Sequence, residues 1–137
     1  AVTILLQGQV EYALLHYATQ ALYRELLAGG VRIFEYRAGF LHAKVAVVDG
    51  AWATVGSSNT DPFSLLLARE ANVLIQDAGF AAQLRASLQR AIGSADEVTH
   101  PQLLEGSRLV CWLRRLAYGM VRLLLGLTRY GGSDYRK

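Results

Sequence analysis

The chain has 137 residues, 53% of them hydrophobic, which fits one folded domain with a buried core and argues against a disordered segment. Its single cysteine, Cys111, excludes an internal disulfide and a zinc site built on several cysteines. Residues 1–105 carry seven basic and ten acidic side chains, whereas residues 106–137 carry seven basic and one acidic. The basic C-terminal part is therefore expected to meet an anionic partner.

The first part of the chain has the order strand, helix, strand. Residues 1–7 form an apolar run typical of a buried strand, and apolar residues follow at helical spacing over residues 9–28. Gly29 and Gly30 can then end the helix, and the alternation over residues 31–36 predicts a second strand. This order predicts two parallel strands joined by a crossover helix.

The next segment has the pattern of a β-hairpin, with strands over residues 41–48 and 52–55 and a turn at Asp49-Gly50. Alternation of side chains puts His42 and Lys44 on one face of the first strand. The other residues of that face are apolar, as in a core strand. Two ionisable groups on such a face indicate a functional site.

The remaining elements are expected downstream of the hairpin. They are a strand over residues 70–76, an amphipathic helix over 78–92, a polar linker over 93–100 and a helical tail over 107–129. The chain as a whole is predicted to be an α/β protein in which helices flank one mixed β-sheet. We divide it into a domain over residues 1–95 and a linker with a C-terminal amphipathic helix over residues 96–137.

Five polar residues follow the spacing H-x-K, four residues, D, six residues, G-S-x-N: His42, Lys44, Asp49, Ser57 and Asn59. An imidazole serves as nucleophile or acid near neutral pH. A lysine ammonium stabilises phosphoryl oxygens without a metal. Compact donors in a turn that starts with glycine can approach an oxyanion closely. Glu70, on the next strand, could hold one ring nitrogen of the histidine.

Residues 42–59, HAKVAVVDGAWATVGSSN, match the HKD motif of the phospholipase D superfamily. Residues 1–95 more closely resemble the C-terminal half of a bacterial cardiolipin synthase of the phospholipase D type. The resemblance implies a phospholipase D-like mixed sheet flanked by helices. It also implies phosphatidyl transfer through a phosphohistidine intermediate, with no metal or other cofactor.

The resemblance also implies the roles of single residues. The catalytic set is His42, Lys44, Asp49 and Glu70, with Asp49 mainly structural and Glu70 orienting the histidine. The phosphate-binding set is Lys44, Ser57 and Asn59. Two HKD motifs meet at one site in this family, and the N-terminal histidine is usually the nucleophile. His42 would then be the acid and base.

The chain departs from the family because it has one HKD motif. His16 is followed two residues later by Ala18, and His100 by Pro101 and Gln102. Either the chain is a fragment of a longer protein or two copies pair to complete the site. The missing initiator methionine favours the fragment, which we expect to be poorly active alone.

The C-terminal tail combines an apolar surface with arginines spaced seven residues apart. Its longest charge-free runs have six residues, too short to span a bilayer. A core-packing helix and an interfacial helix remain, and the interfacial helix fits the charge pattern better. The expected membrane-contacting residues are Arg108, Trp112, Arg114, Arg115, Tyr118, Arg122 and Arg129.

The sequence is compatible with three functions. The first is a phosphatidyltransferase that acts on an anionic phospholipid such as phosphatidylglycerol, bound peripherally at the cytoplasmic face of the bacterial inner membrane. The second is a single-motif phosphodiesterase or nuclease that works as a homodimer, and the third is an inactive half that supports a partner. The acidic body of the chain argues against nucleic acid, and the complete motif argues against the inactive half.

Overall fold

The computed structural model describes residues 1–10, 13–57, 70–99 and 108–127. Within these residues the chain forms six strands and three helices. In chain order they are β1 (Thr3–Gln7), α1 (Ala13–Ala28), β2 (Arg32–Tyr36), β3 (Lys44–Val48), β4 (Trp52–Gly56), β5 (Asn72–Gln76), α2 (Ala78–Ile92), β6 (Asp96–Val98) and α3 (Arg108–Leu127). The chain is therefore an α/β protein, as its sequence predicted.

A parallel pair of strands forms the first sheet together with β6. β1 and β2 lie parallel, with Thr3 opposite Arg32, and α1 is the crossover between them. β2 is the central strand, and its neighbouring residues Ile33 and Phe34 are both buried, so both faces of this strand are covered. The predicted parallel pair with a helical crossover is confirmed.

The third strand of this sheet lies where a linker was expected, and that prediction was wrong. β6 runs antiparallel to β2 and places Val98 opposite Ile33. Arg32 donates from Nε and Nη2 to the Glu97 carboxylate at 2.8 and 3.1 Å. These hydrogen bonds raise the pKa of Arg32 and lower the pKa of Glu97. The polar composition of residues 93–100 concealed the strand, because an edge strand tolerates charged side chains.

β3, β4 and β5 form a separate antiparallel sheet, in which Lys44 lies opposite Gly56 and Gly56 opposite Asn72. Asp49 and Gly50 connect β3 to β4 with φ angles of 50° and 68°, the positive values that a type I′ turn requires. The predicted hairpin is confirmed. The single mixed sheet is wrong for the described residues, because alternation identifies a strand but not the sheet edge that it joins.

The described elements leave much of the second sheet exposed, and Val73, on the same face as Ala53, is 62% exposed. α2 packs against its strands, and Ala53 is buried on that side. The opposite face, which carries Lys44, exposes the apolar side chains of Val48, Trp52 and Leu74, and Leu74 is 63% exposed. The apolar residues of this face are typical of a core strand, yet they are exposed. Alternation shows which residues share a face but does not show what covers it.

The tail helix α3 packs along α1. Arg114 Nε donates a hydrogen bond of 3.0 Å to Gln20 Oε1, and Ala117 is buried. Away from α1 the helix exposes large apolar side chains, with Trp112 59% and Leu123 61% exposed. The predicted helix is confirmed over Arg108–Leu127. Of the helices in the described parts of the chain, none has the length and apolar content to cross a membrane.

Candidate active site

His42 lies in the segment that leads into β3. Because β3 begins at Lys44, the predicted strand started too early. The Phe40 ring stacks on the His42 imidazole, with 5.7 Å between the ring centroids and 10° between the ring planes. Lys44 Nζ donates a hydrogen bond of 3.3 Å to the His42 carbonyl oxygen. These contacts hold His42 in place while its side chain remains exposed.

His42 and Lys44 line one groove of about 270 Å³. The end of β1 forms the other wall, with Leu5, Leu6 and Gln7. The connection between the walls is direct, because the Leu41 N–H donates to Gln7 Oε1 at 3.1 Å. The groove therefore joins the two sheets and places an imidazole and an ammonium next to each other.

The strand register brings further polar groups to the Lys44 end of the second sheet. Lys44, Gly56 and Asn72 lie in one row across β3, β4 and β5. A Cβ at Gly56 would overlap the Asn72 carboxamide and the Ala71 carbonyl oxygen. The Asn72 side chain therefore lies over Gly56, and only glycine leaves room for it. Sequence reasoning did not identify Asn72.

Ser57 follows β4 and is bonded to the segment that enters β5. Its backbone N–H donates to the Ala71 oxygen at 3.0 Å, and its Oγ accepts from the Ala71 N–H at 3.1 Å. Glu70 is half-buried and precedes Ala71, so this pairing places it at the same end of the sheet as Lys44. No hydrogen bond joins Glu70 to the His42 ring in the described part of the chain.

Asp49 is not brought to the groove. It lies in the turn after β3, whereas His42 and Lys44 lie at the start of that strand. Asp49 is therefore a turn residue, and its place in the catalytic set, in a mainly structural role, stays a prediction. Asn59 and Arg129, which were also expected to be functional, lie outside the described residues.

A larger cavity of about 410 Å³ lies between α1, β2, β6 and α3 and shares no lining residue with the groove of His42 and Lys44. Its centre is the buried Glu35, which accepts from Tyr23 Oη at 3.0 Å and pairs with Arg37. Burial raises the pKa of the Tyr23 phenol, and the neighbouring Glu35 carboxylate adds to the shift. Arg114 of α3 lines the same cavity. This cluster fixes the packing of α1 and contains none of the predicted catalytic residues.

Gln7 and Phe40 were missed by sequence reasoning although both line the catalytic groove. Gln7 gives a weak signal, since it is a polar residue that closes an otherwise apolar strand. Phe40 gives none, because an aromatic residue two positions before a histidine is common in any sequence. The groove as assembled can bind an anionic oxygen at Lys44 and offer the His42 ring to a neighbouring atom.

The part of the chain that forms the groove is similar to known proteins. A family profile described as "Cardiolipin synthase, PLD-like domain" matches residues 1–92. Cardiolipin synthase B of Escherichia coli (strain K12) is 45% identical over 93 residues, which are 68% of this chain and 22% of that protein. Cardiolipin synthase B of Salmonella typhi is 46% identical over 92 residues, 67% of this chain and 22% of that protein. Cardiolipin synthase A of Klebsiella pneumoniae (strain 342) is 37% identical over 114 residues, 83% of this chain and 22% of that protein.

No solved structure matches the chain. The chain spans 22% of the length of the curated relatives named above. The family match runs from β1 to the end of α2 and so includes both walls of the groove. Since it covers more than half of the chain and contains the whole H-x-K motif, the chain belongs to the family of cardiolipin synthase PLD-like domains.

Proposed function

We propose that the chain supplies one of the two HKD motifs of a phosphatidyltransferase of the cardiolipin synthase type. The observation that carries the proposal is the shared groove of His42 and Lys44 in a member of this family. The substrate is an anionic phospholipid, with phosphatidylglycerol as the first candidate. The other HKD motif comes either from a preceding half of a longer chain or from a second copy.

The groove chemistry supports transfer at phosphorus. Lys44 binds the non-bridging oxygens and offsets the charge that develops on them. A histidine of the other motif attacks phosphorus, and His42 gives its proton to the oxygen of the leaving glycerol. His42 then takes the proton of the acceptor hydroxyl, whose oxygen attacks the phosphorus of the phosphohistidine and displaces the histidine. Glu70 orients His42 in the completed site, and Ser57 and Asn59 form the phosphate-binding turn.

The uncovered face of the second sheet supports a partner that completes the site. Lys44 lies on this face in one row with Gly56 and Asn72, and Val48, Trp52 and Leu74 are exposed on the same face. An exposed apolar patch beside a charged groove is typical of a surface that another protein segment covers.

The purified 137-residue chain tests this proposal on phosphatidylglycerol vesicles. We expect cardiolipin formation to be absent in the monomer and to require either dimerisation or addition of the other motif. His42→Ala and Lys44→Ala should abolish activity in the completed enzyme, whereas His16→Ala on α1 should not. Robust turnover by a monomer, measured together with sedimentation analysis, contradicts the half-site. A trapped phosphohistidine at His42 contradicts its role as acid and base.

The outer surface of α3 supports contact with anionic lipid. Trp112, Leu116, Met120 and Leu123 are exposed and follow each other at helical spacing, so they form one apolar stripe. Arg115 is exposed on the same helix, and a basic residue at an anionic bilayer contributes about 1 kcal/mol. In the sequence, Arg108, Arg122 and Arg129 share the seven-residue spacing of Arg115.

The packing of α3 revises the expected lipid-contacting set. Arg114 is bonded to Gln20 of α1 and Tyr118 is half-buried, so we assign both to the inner side of the helix. The protein is then held peripherally at the membrane, at the cytoplasmic face of the bacterial inner membrane. In this arrangement the basic tail, rather than the acidic body, meets the lipid.

Vesicle sedimentation tests this surface. The double variant Leu116→Gln and Leu123→Gln should bind phosphatidylglycerol vesicles about 30-fold more weakly, since two exposed leucines together contribute about 2 kcal/mol on entering the bilayer. Leu15→Gln on α1, a similarly exposed leucine, is the control. Binding should weaken as salt concentration rises. Unchanged binding after deletion of residues 106–137 contradicts the proposal.

A further inference from the structure

Gln7, the last residue of β1, has one side-chain group without a partner. Its Oε1 accepts the Leu41 N–H at 3.1 Å. Its Nε2 is buried and meets no acceptor anywhere in the described residues. A buried amide donor without an acceptor is costly and uncommon, so it needs a physical explanation.

The orientation of this amide is fixed. The Leu41 N–H requires an acceptor, and an amide nitrogen cannot accept, so the carboxamide cannot rotate by half a turn. The backbone beneath it is also held, because the Gly8 N–H donates to the Tyr36 oxygen at 2.8 Å. A Cβ at Gly8 would lie 2.6 Å from the Arg37 side chain, so β1 and β2 approach closely at this point. The unpaired donor is thus held in place at the groove wall.

The position of this donor at the groove suits an acceptor on a bound ligand rather than on the protein. Gln7, His42 and Lys44 line the same cavity of about 270 Å³. Phe40 is 61% exposed and His42 is exposed, so a small ligand can enter the groove between these side chains. A phosphodiester has two non-bridging oxygens, and Lys44 can neutralise the charge that they share. An amide N–H then gives the second oxygen a charge-assisted hydrogen bond.

We propose that the Gln7 side-chain amide is a phosphodiester-binding group of the catalytic groove, donating from Nε2 to a non-bridging oxygen of the substrate. The inference rests on the proposed function for the identity of the ligand. It adds a substrate contact that lies outside the HKD motif, 35 residues before His42 in the chain. Gln7 also holds the segment that carries His42, through its acceptor oxygen, and these two roles can be separated.

The separating variant is Gln7→Glu. A carboxylate still accepts the Leu41 N–H but has no proton to donate, so the segment stays in place while the donor is lost. Gln9→Glu is the matched control, because it adds the same charge two residues away. The Gln9 amide donates to the Arg37 carbonyl oxygen at 3.3 Å and does not line the groove.

The probe is glycerophosphoglycerol, a soluble phosphodiester, titrated into the isotope-labelled 137-residue chain and followed by NMR. We expect the Gln7 side-chain amide resonance to shift and saturate together with the signals of Lys44. Gln7→Glu should weaken binding about 10- to 100-fold, and Gln9→Glu about twofold or less. Exchange of the Leu41 amide hydrogen should be unchanged in Gln7→Glu. If Gln7→Glu loses this protection, the variant no longer separates the two roles of Gln7. The shift of the wild-type Gln7 side-chain resonance on titration then tests the proposal.

Two results overturn the inference in different ways. Binding that depends on Lys44 but leaves the Gln7 resonance unmoved removes the role of Gln7 and leaves the proposed function intact. The absence of any binding by the wild-type chain at millimolar probe overturns the inference that Gln7 binds the phosphodiester in this groove, whereas the proposed function is overturned separately, by robust turnover in the monomer.

Discussion

Tyr23 and Glu35 form a buried hydrogen bond that ties α1 to β2. Tyr23 Oη donates to Glu35 Oε1 at 3.0 Å, and the two residues are 2% and 5% exposed. Tyr23→Phe keeps the packed ring and deletes only the hydroxyl, so a buried carboxylate oxygen loses a donor. Hydrogen bonds to charged groups contribute about 1.5–3 kcal/mol. We therefore expect the free energy of unfolding to fall by about 2 kcal/mol.

This loss corresponds to a clear change in melting temperature. For 137 residues the entropy of unfolding is about 0.3 kcal/mol/K, so Tm should fall by about 7 °C. Thermal and urea denaturation at pH 8, followed by circular dichroism, measure both quantities. Tyr17→Phe is the control, because Tyr17 is exposed on the same helix and its change should cost less than about 0.5 kcal/mol.

The difference in unfolding free energy between the wild type and Tyr23→Phe should change with pH in a defined direction. Burial and the Glu35 carboxylate raise the pKa of Tyr23 above 10.0, so above this pH the unfolded chain loses a proton that the folded protein keeps. The contribution of the neutral phenol is fully present below pH 10 and is lost as the pH rises toward the folded-state pKa. Between pH 8 and pH 11 the wild-type protein should lose about 1.4 kcal/mol that Tyr23→Phe does not lose.

The stability gap between the two proteins should therefore narrow from about 2 to about 0.6 kcal/mol over this range. A gap that widens with pH would mean that Tyr23 ionises more easily in the folded protein, and it would refute the reasoning. A variant within about 0.5 kcal/mol of the wild type at pH 8 would refute the buried hydrogen bond itself.

Backbone positions in the second sheet and in α3 give further predictions. Gly56→Ala should cost about 1–3 kcal/mol in thermal denaturation, because the new Cβ overlaps the Asn72 carboxamide and the backbone carbonyl before it. Gly119→Ala, where a Cβ meets open space in α3, should stabilise the protein by about 1 kcal/mol. Asp49→Val should cost about 1–2 kcal/mol in urea denaturation because φ is 50° at this turn position, whereas Asp49→Gly should not destabilise.

Elements with local signals were predictable from the sequence. α2 was predicted with its observed bounds because its apolar residues recur at four-residue steps. At its start the Asp77 carboxylate accepts the Phe80 N–H at 2.6 Å, and Gly93 follows its last residue. The hairpin turn was also predictable from a local signal, since Asp49-Gly50 supplies two residues that adopt positive φ.

Features that depend on distant pairing were not predictable. β6 has a polar sequence and becomes a strand because β2 offers it an edge and Arg32 a partner for Glu97. The spacing of the motif gave His42 and Lys44, but the opposite wall of their groove comes from β1. No local pattern connects Gln7 with Leu41, 34 residues later, so the contact that fixes the catalytic segment appears only in the folded chain.

Two apolar surfaces remain uncovered on the described residues, and their chemistry assigns them different partners. The sheet face with Trp52 and Leu74 also carries Lys44, which lines the groove with His42 and which we propose to be a phosphate-binding residue. A lipid surface on this face would compete with the substrate, whereas a protein half that brings a second histidine would complete the site. The stripe of α3 runs beside the exposed Arg115, and arginine next to tryptophan and leucine suits an anionic bilayer. Under the proposed function, one surface assembles the active site and the other attaches the protein to the membrane.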